Sequence, residues 1–145
     1  MNQRGWMLAL VVAFCGLLST VASAADKRPF DQASFEAAQQ IGKSILVEVY
    51  APWCPTCWVQ QPILSHLLKQ PKFKDLVVFV VDFDSQKSTL RLLNAQQQST
   101  LIVFKGGKEI GRSVGDVDAA VRVGCLVAID AHPQADRLRV CQVDT

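Results

Sequence analysis

The stretch Ile45-Leu46-Val47-Glu48-Val49-Tyr50 is β-branched, aromatic and apolar with one exception, and soon after it the chain reads Trp53-Cys54-Pro55-Thr56-Cys57. A strand this apolar has to be covered on both faces, so the chain must build a central sheet flanked by helices. The exception is Glu48. Behind the second cysteine the spacing turns helical, with Ile63, Leu64, Leu67 and Leu68 on one side. Pro55 fits the first turn of that helix because its missing N–H has no partner there anyway, Pro62 marks a kink, and Pro71 ends it. The two cysteines therefore sit where a buried strand hands over to a helix.

Around this unit the pattern alternates. Asp26 to Pro29 reads as a polar lead-in, and Phe30, Phe35, Ala38 and Ile41 then recur at helical spacing, giving a helix over about residues 31–41 that stops at Gly42. Residues 76–81 read as a second buried strand. Asp84-Ser85 offers a cap for a helix carrying Leu90, Leu92 and Leu93. Residues 100–104 and 108–114 read as strands joined at Gly106-Gly107, a tight-turn signal, and so pair antiparallel. This order predicts a mainly parallel α/β sheet with one antiparallel hairpin.

The first 24 residues read differently. Arg4 precedes an apolar run over residues 6–18, and Ala22-Ser23-Ala24 places small residues at a cleavage site, which is the pattern of a secretory signal peptide. The run is too short for a membrane anchor, since a spanning helix needs roughly 20 residues. Cys15 is a hydrophobic residue of this leader. Fifteen basic against thirteen acidic side chains, with only Arg4 lost on cleavage, leave the exported chain nearly neutral. A charge this balanced makes no electrostatic case for a nucleic-acid surface.

Export places Cys54, Cys57, Cys125 and Cys141 in an oxidising compartment, here the periplasm, where thiols pair and stay paired. A C-x-x-C at a strand-to-helix junction then reads as a redox dithiol. Unpaired N–H groups and the helix dipole stabilise a thiolate on Cys54, and Cys57, one turn on, can close or resolve a disulfide. Exchange calls for one exposed nucleophile and one shielded resolving thiol. A zinc site would need two more ligands, and neither a second C-x-x-C nor a His pair supplies them, so no metal and no cofactor are expected. His66 stands alone on the helix as a surface or packing residue.

The stretch over residues 45–115 resembles thioredoxin. The resemblance rests on Trp53 before the first cysteine, Tyr50 ahead of it, Pro62 after the second, Phe104-Lys105-Gly106-Gly107 and Gly115. It implies an α/β thioredoxin fold, a mixed central sheet flanked by helices over residues 25–122. It also implies Cys54 as nucleophile, Cys57 as resolving cysteine, and a protein disulfide as substrate, met by Trp53, Pro55, Thr56, Ser99 and Thr100. Glu48 stands where thioredoxins carry a buried Asp that helps move a proton at the resolving thiol; the plainer reading is a Glu at the sheet edge that reaches water. The Lys that thioredoxins often place on the neighbouring strand is Val80 here, which removes a cation from that carboxylate. Ser99 replaces a cis-proline. Because a cis bond before a non-proline residue costs about 2.5–4 kcal/mol, a trans peptide and a reshaped groove are expected. Pro55-Thr56 brings no His between the cysteines, so an intermediate or reducing potential is expected.

After Gly115 a thioredoxin would end in one amphipathic helix, and residues 116–121 begin it. Residues 123–145, with His132-Pro133-Gln134-Ala135-Asp136-Arg137 and Leu138-Arg139-Val140-Cys141-Gln142-Val143-Asp144, instead resemble the opening strands of the tRNA-binding module of the phenylalanyl-tRNA synthetase beta chain. So short a piece cannot close a five-stranded barrel, and no nucleic-acid partner is expected from it. The sequence thus reads as an exported, monomeric thiol-disulfide oxidoreductase without a stable membrane anchor, exchanging disulfides with protein thiols and recharged by a membrane thiol-reducing protein. The competing reading is a non-catalytic binding module or metallochaperone on the same scaffold.

Overall fold

The computed structural model describes residues 25–115, 117 and 118. The expected leader, the terminal helix and the segment over residues 123–145, with Cys125 and Cys141, lie outside the described residues. The elements run β1 (Asp26–Pro29), α1 (Gln32–Gln40), β2 (Ser44–Tyr50), α2 (Pro55–Leu68), a 3-10 turn (Pro71–Phe73), β3 (Val77–Asp82), α3 (Lys87–Leu92), β4 (Thr100–Lys105) and β5 (Lys108–Val114). They form one five-stranded sheet in the order β1-β3-β2-β4-β5.

The pairs β1/β3 and β2/β3 are parallel, whereas β2/β4 and β4/β5 are antiparallel. The sheet is therefore evenly mixed rather than mainly parallel, because β4 runs against β2 as well as forming the hairpin with β5. The polar lead-in is itself a strand. Asp26-Lys27-Arg28-Pro29 has neither alternation nor an apolar run to announce it, and it pairs with Val77 to Val80 at the edge of the sheet.

Side chains alternate along β2 and divide the interior into two layers. Ile45, Val47 and Val49 meet Phe35 and Ala38 of α1 and Leu90 and Leu93 around α3, together with Phe30, Phe79 and Phe104. Leu46 faces the other way, against Leu64 and Leu68 of α2, Phe73, Val78, Leu101 and Val103.

Local signals fix the helix ends. Asp31 accepts the Ser34 N–H at 2.9 Å, and Phe30 just before this cap packs on Phe35 at 5.3 Å between ring centroids, a hydrophobic staple over the first turn. At the other end Gly42 takes φ +70°, which lets Gly42 and Lys43 give their N–H groups to Gln39 and Ala38 carbonyls. The third helix differs from expectation at its start. Asp82, not Asp84 or Ser85, organises the approach by accepting the Ser85 N–H and Oγ, and Gln86 occupies the cap position of α3 without a side-chain cap bond.

Candidate active site

Ala51 and Pro52 carry the chain off the end of β2, and the Cys54 N–H bonds back to the Ala51 carbonyl at 3.1 Å. This turn places Cys54 as the cap of α2. Its Sγ accepts the Cys57 N–H at 3.1 Å, and Pro55 fills the first helical position. Both cysteines are free thiols. An N-cap acceptor of this kind is where a thiolate is best tolerated, since the first-turn N–H groups otherwise lack partners.

The pair departs from the expected exposed nucleophile and shielded partner. Cys54 is not exposed; it is as buried as Cys57, at 1% each. The reason is the cap geometry, which turns Sγ inward, and the packing of both cysteines with Ala51 against Tyr50 and Phe83. The two thiols nevertheless differ in surroundings. Burial pushes the Cys57 thiol up to about 11, and its hydrogen bond with Cys54 adds to this, while hydrogen bonds with the backbone of Ala51 and Ser99 pull the other way. Cys57 is thus held as a thiol in the resting dithiol, in keeping with a resolving role.

The rim carries apolar surface. Trp53 and Trp58 are both about half exposed, as is Val59, and Pro55 is exposed while Thr56 is partly so. The indoles are anchored at their N–H groups, Trp53 to Asp84 at 2.8 Å and Trp58 to the Pro52 carbonyl at 2.8 Å, and Trp53 also meets the Phe83 ring edge-on. Two large flat faces are therefore fixed beside the dithiol.

Ser99 closes the site from the β4 side. Among the described residues no peptide bond is cis, and Ser99 turns the chain through a left-handed φ of +61°. For a residue with a Cβ that conformation costs about 1–2 kcal/mol. It is held on three sides: the Ser99 N–H reaches the Val49 carbonyl at 2.8 Å, its carbonyl accepts the Gly115 N–H at 3.1 Å, and its hydroxyl donates to Gln60 Oε1 at 2.8 Å. A proline could make neither the first nor the last of these bonds. Thr100 is also buried, and its Oγ1 donates to the Gln97 carbonyl at 2.6 Å, so this side chain braces the loop.

Glu48 lies on the α2 side of the central strand and is 2% exposed, which excludes a Glu at the sheet edge reaching water. It is not without a cation. Val80 indeed stands opposite Glu48 on β3, but Lys27 of β1 reaches across to place Nζ 3.0 Å from Glu48 Oε2. Gln61 of α2 donates to Glu48 Oε1 and accepts from Lys27 Nζ at 3.0 Å, so the three side chains bond one another. Sequence reasoning missed Lys27 because its strand was missed. It missed Gln60 and Gln61 too, which sit in the helical pattern as ordinary polar residues. His66 is exposed on α2, away from these contacts. Among the described residues no group of three or more His, Cys, Asp or Glu side chains is placed to hold a metal ion.

The thioredoxin family model matches residues 26–123. Thioredoxin H-type from Fagopyrum esculentum is 33% identical over 81 residues, which is 56% of this chain and 68% of that protein. Thioredoxin from Chlamydia trachomatis is 32% identical over 81 residues, covering 54% of this chain and 78% of that one. Among solved structures, Trxlp from Edwardsiella tarda EIB202 is similar with a TM-score of 0.66 and 42% identity, over 70% of this chain and 98% of that chain.

Proposed function

The chain belongs to the thioredoxin family, and from that premise we propose that it is an exported protein-disulfide oxidoreductase working through Cys54 and Cys57. Membership brings thiol-disulfide oxidoreductase chemistry in general. The observation that carries the finer reading is the free dithiol at the start of α2, with Cys54 Sγ accepting the Cys57 N–H at 3.1 Å.

In this reading the Cys54 thiolate attacks one sulfur of a substrate disulfide, and the other substrate sulfur leaves and takes up a proton. Cys57 then loses its proton and attacks Cys54 Sγ, which breaks the mixed disulfide and releases the second substrate thiol. Two electrons have passed to the substrate and the protein is left as the Cys54-Cys57 disulfide. Glu48, held between Lys27 and Gln61, assists proton movement at Cys57. Trp53 and Pro55 offer exposed surface to the substrate chain, Thr56 flanks the thiols, and Ser99 and Thr100 shape the opposing wall. A membrane thiol-reducing protein returns the dithiol form. The apolar leader pattern over residues 6–18 with Ala22-Ser23-Ala24 supports export to the periplasm.

The test is reduction of a protein disulfide such as insulin, with dithiothreitol as electron source, beside a Cys54→Ser control. Dithiol-dependent turnover that disappears in the control is the expected result. A folded wild-type protein without turnover overturns the reading in favour of a non-catalytic scaffold.

A further inference from the structure

We propose that the outer face of α2, formed by Pro55, Trp58, Val59 and Pro62, is a docking track for an unfolded, apolar segment of the disulfide substrate, and that Trp58 selects for it. This rests on the oxidoreductase reading above. The inner face of α2 carries the buried Cys57, Gln60, Leu64 and Leu68. A surface helix should turn polar side chains outward, yet Pro55, Trp58, Val59 and Pro62 are all exposed, and the i, i+3, i+4, i+7 spacing sets them side by side along one face. Among the described residues the exposed large hydrophobic side chains are Ile41, Trp53, Trp58, Val59, Leu92 and Val114. Three of these six fall within five residues of Cys54, so apolar surface is gathered at the dithiol rather than scattered.

The stripe is preorganised. Proline side chains have no rotamer freedom to lose, and the Trp58 indole, 56% exposed, is pinned through its N–H to the Pro52 carbonyl at 2.8 Å. That bond folds the ring back toward the turn that delivers Cys54. A fixed flat ring covers a partner's side chain at little entropic cost. The chemistry of the partner follows from charge. Neither residues 50–65, which carry the dithiol and the stripe, nor residues 94–104, which carry the Ser99 loop, include a charged side chain. In the loop after β3, Asp82 accepts from Ser85, Asp84 accepts from the Trp53 indole, and the Lys87 ammonium donates to the Phe83 carbonyl and lies over its ring. A carboxylate or ammonium laid on the stripe would shed water without a facing counter-charge, whereas a leucine or phenylalanine would gain cover. From Pro55 to Pro62 the helix rises about 10 Å, the reach of about three residues of extended chain. The track therefore meets side chains close to the substrate cysteine, and apolar side chains there are free to dock when the substrate is unfolded.

The experiment compares wild type, Trp58→Ser, Val59→Ser and Trp58→Phe. Reduced protein is mixed with short peptides whose one cysteine is joined to glutathione by a disulfide; the protein dithiol becomes the Cys54-Cys57 disulfide as the peptide thiol and glutathione are released, and these are counted by mass spectrometry after an acid quench. One peptide has leucines beside the cysteine, a second has glutamates there, a third has lysines, and a fourth has the leucines moved well beyond the reach of the track. Wild type is expected to react about three- to tenfold faster with the first peptide than with each of the others, as partial cover of a leucine would give. That ratio is expected to fall below about twofold in Trp58→Ser, to shrink in Val59→Ser, and to survive in Trp58→Phe, which keeps an aromatic face. A wild-type ratio below about twofold overturns the proposal, and so does a wild-type ratio retained in both folded serine variants, which is what a merely structural role would leave. Preference for the lysine peptide overturns it in favour of a cation site, and a wild-type dimer in sedimentation that Trp58→Ser breaks gives the stripe to a second copy instead. A wild-type protein that reduces none of the peptides defeats the oxidoreductase reading alone. Fluorescence anisotropy of labelled peptides with serine in place of the cysteine then decides: binding of the leucine peptide above the glutamate and lysine peptides that Trp58→Ser removes upholds the track, and equal binding or none overturns it.

Discussion

Replacing Lys27 by Met should expose how much of the site depends on the edge strand. The pair Lys27 Nζ–Glu48 Oε2 is 3.0 Å long, with one partner 34% exposed and the other 2%. At that separation the attraction is about 1.4 kcal/mol in bulk water and about 5.5 kcal/mol at an effective dielectric constant of about 20. Because Lys27 keeps part of its hydration, we expect a net pairwise coupling in the lower part of this range, about 1.5–3 kcal/mol. The single Lys27→Met change leaves a buried carboxylate with only the Gln61 amide for company and should cost about 2–4 kcal/mol, more than the coupling itself. Glu48→Gln should cost less, because a neutral amide can still accept from Gln61 and Lys27 can turn to water. Urea unfolding of the two singles and the double at neutral pH and low salt measures the coupling directly. A coupling below about 0.5 kcal/mol would mean that the contact is an exposed ion pair in all but position, and the argument from burial would fail.

Phe35→Ala should cost about 3–5 kcal/mol by urea unfolding, since this ring meets Phe30, Phe79 and Phe104 at centroid distances of 5.3, 5.7 and 5.3 Å. Gly106→Ala should cost about 1–2 kcal/mol, because φ there is +53° and the added Cβ would lie 3.2 Å from the Gln39 carbonyl oxygen. The Cys57 thiol is raised from 9.0 to about 11 on folding, so its contribution to stability is complete below pH 9 and is lost as pH rises through about 11. Unfolding measured across that window should show a fall in the reduced wild type that is missing in Cys57→Ser.

The parts of the fold that were readable from the chain are those where local pattern and burial agree. The apolar run of β2, the helix after Pro55 and the Gly106-Gly107 hairpin each declare themselves within a few residues, and each forms close to where expected. β1 was hidden because an edge strand ending in proline needs neither an apolar face nor a full ladder; its pairing with β3 is decided by tertiary contact. With β1 missing, Glu48 looked stripped of its cation, and Val80 looked like the cause. The cysteines were placed by motif, but their burial follows from the way the cap turns Cys54 Sγ inward, which no spacing rule states. Gln60 was unreadable for a simpler reason: a glutamine in a helix looks solvated until the loop carrying Ser99 is folded over it.

Among the described residues the sheet ends on β1 and β5, and both are poor templates for a further strand. β1 is four residues long, carries Lys27 and Arg28, and closes with Pro29, which has no N–H to offer. β5 presents Lys108, Glu109 and Arg112, and its ladder with β4 slips at Val103/Phe104. Charge, proline, shortness and irregular register are the features that stop sheets from recruiting extended polypeptide along their rims. A protein whose proposed partners present unfolded, disulfide-bearing segments would otherwise risk being extended by them into aggregates. Contact is left to the end of the sheet where the thiols and the two anchored indoles stand.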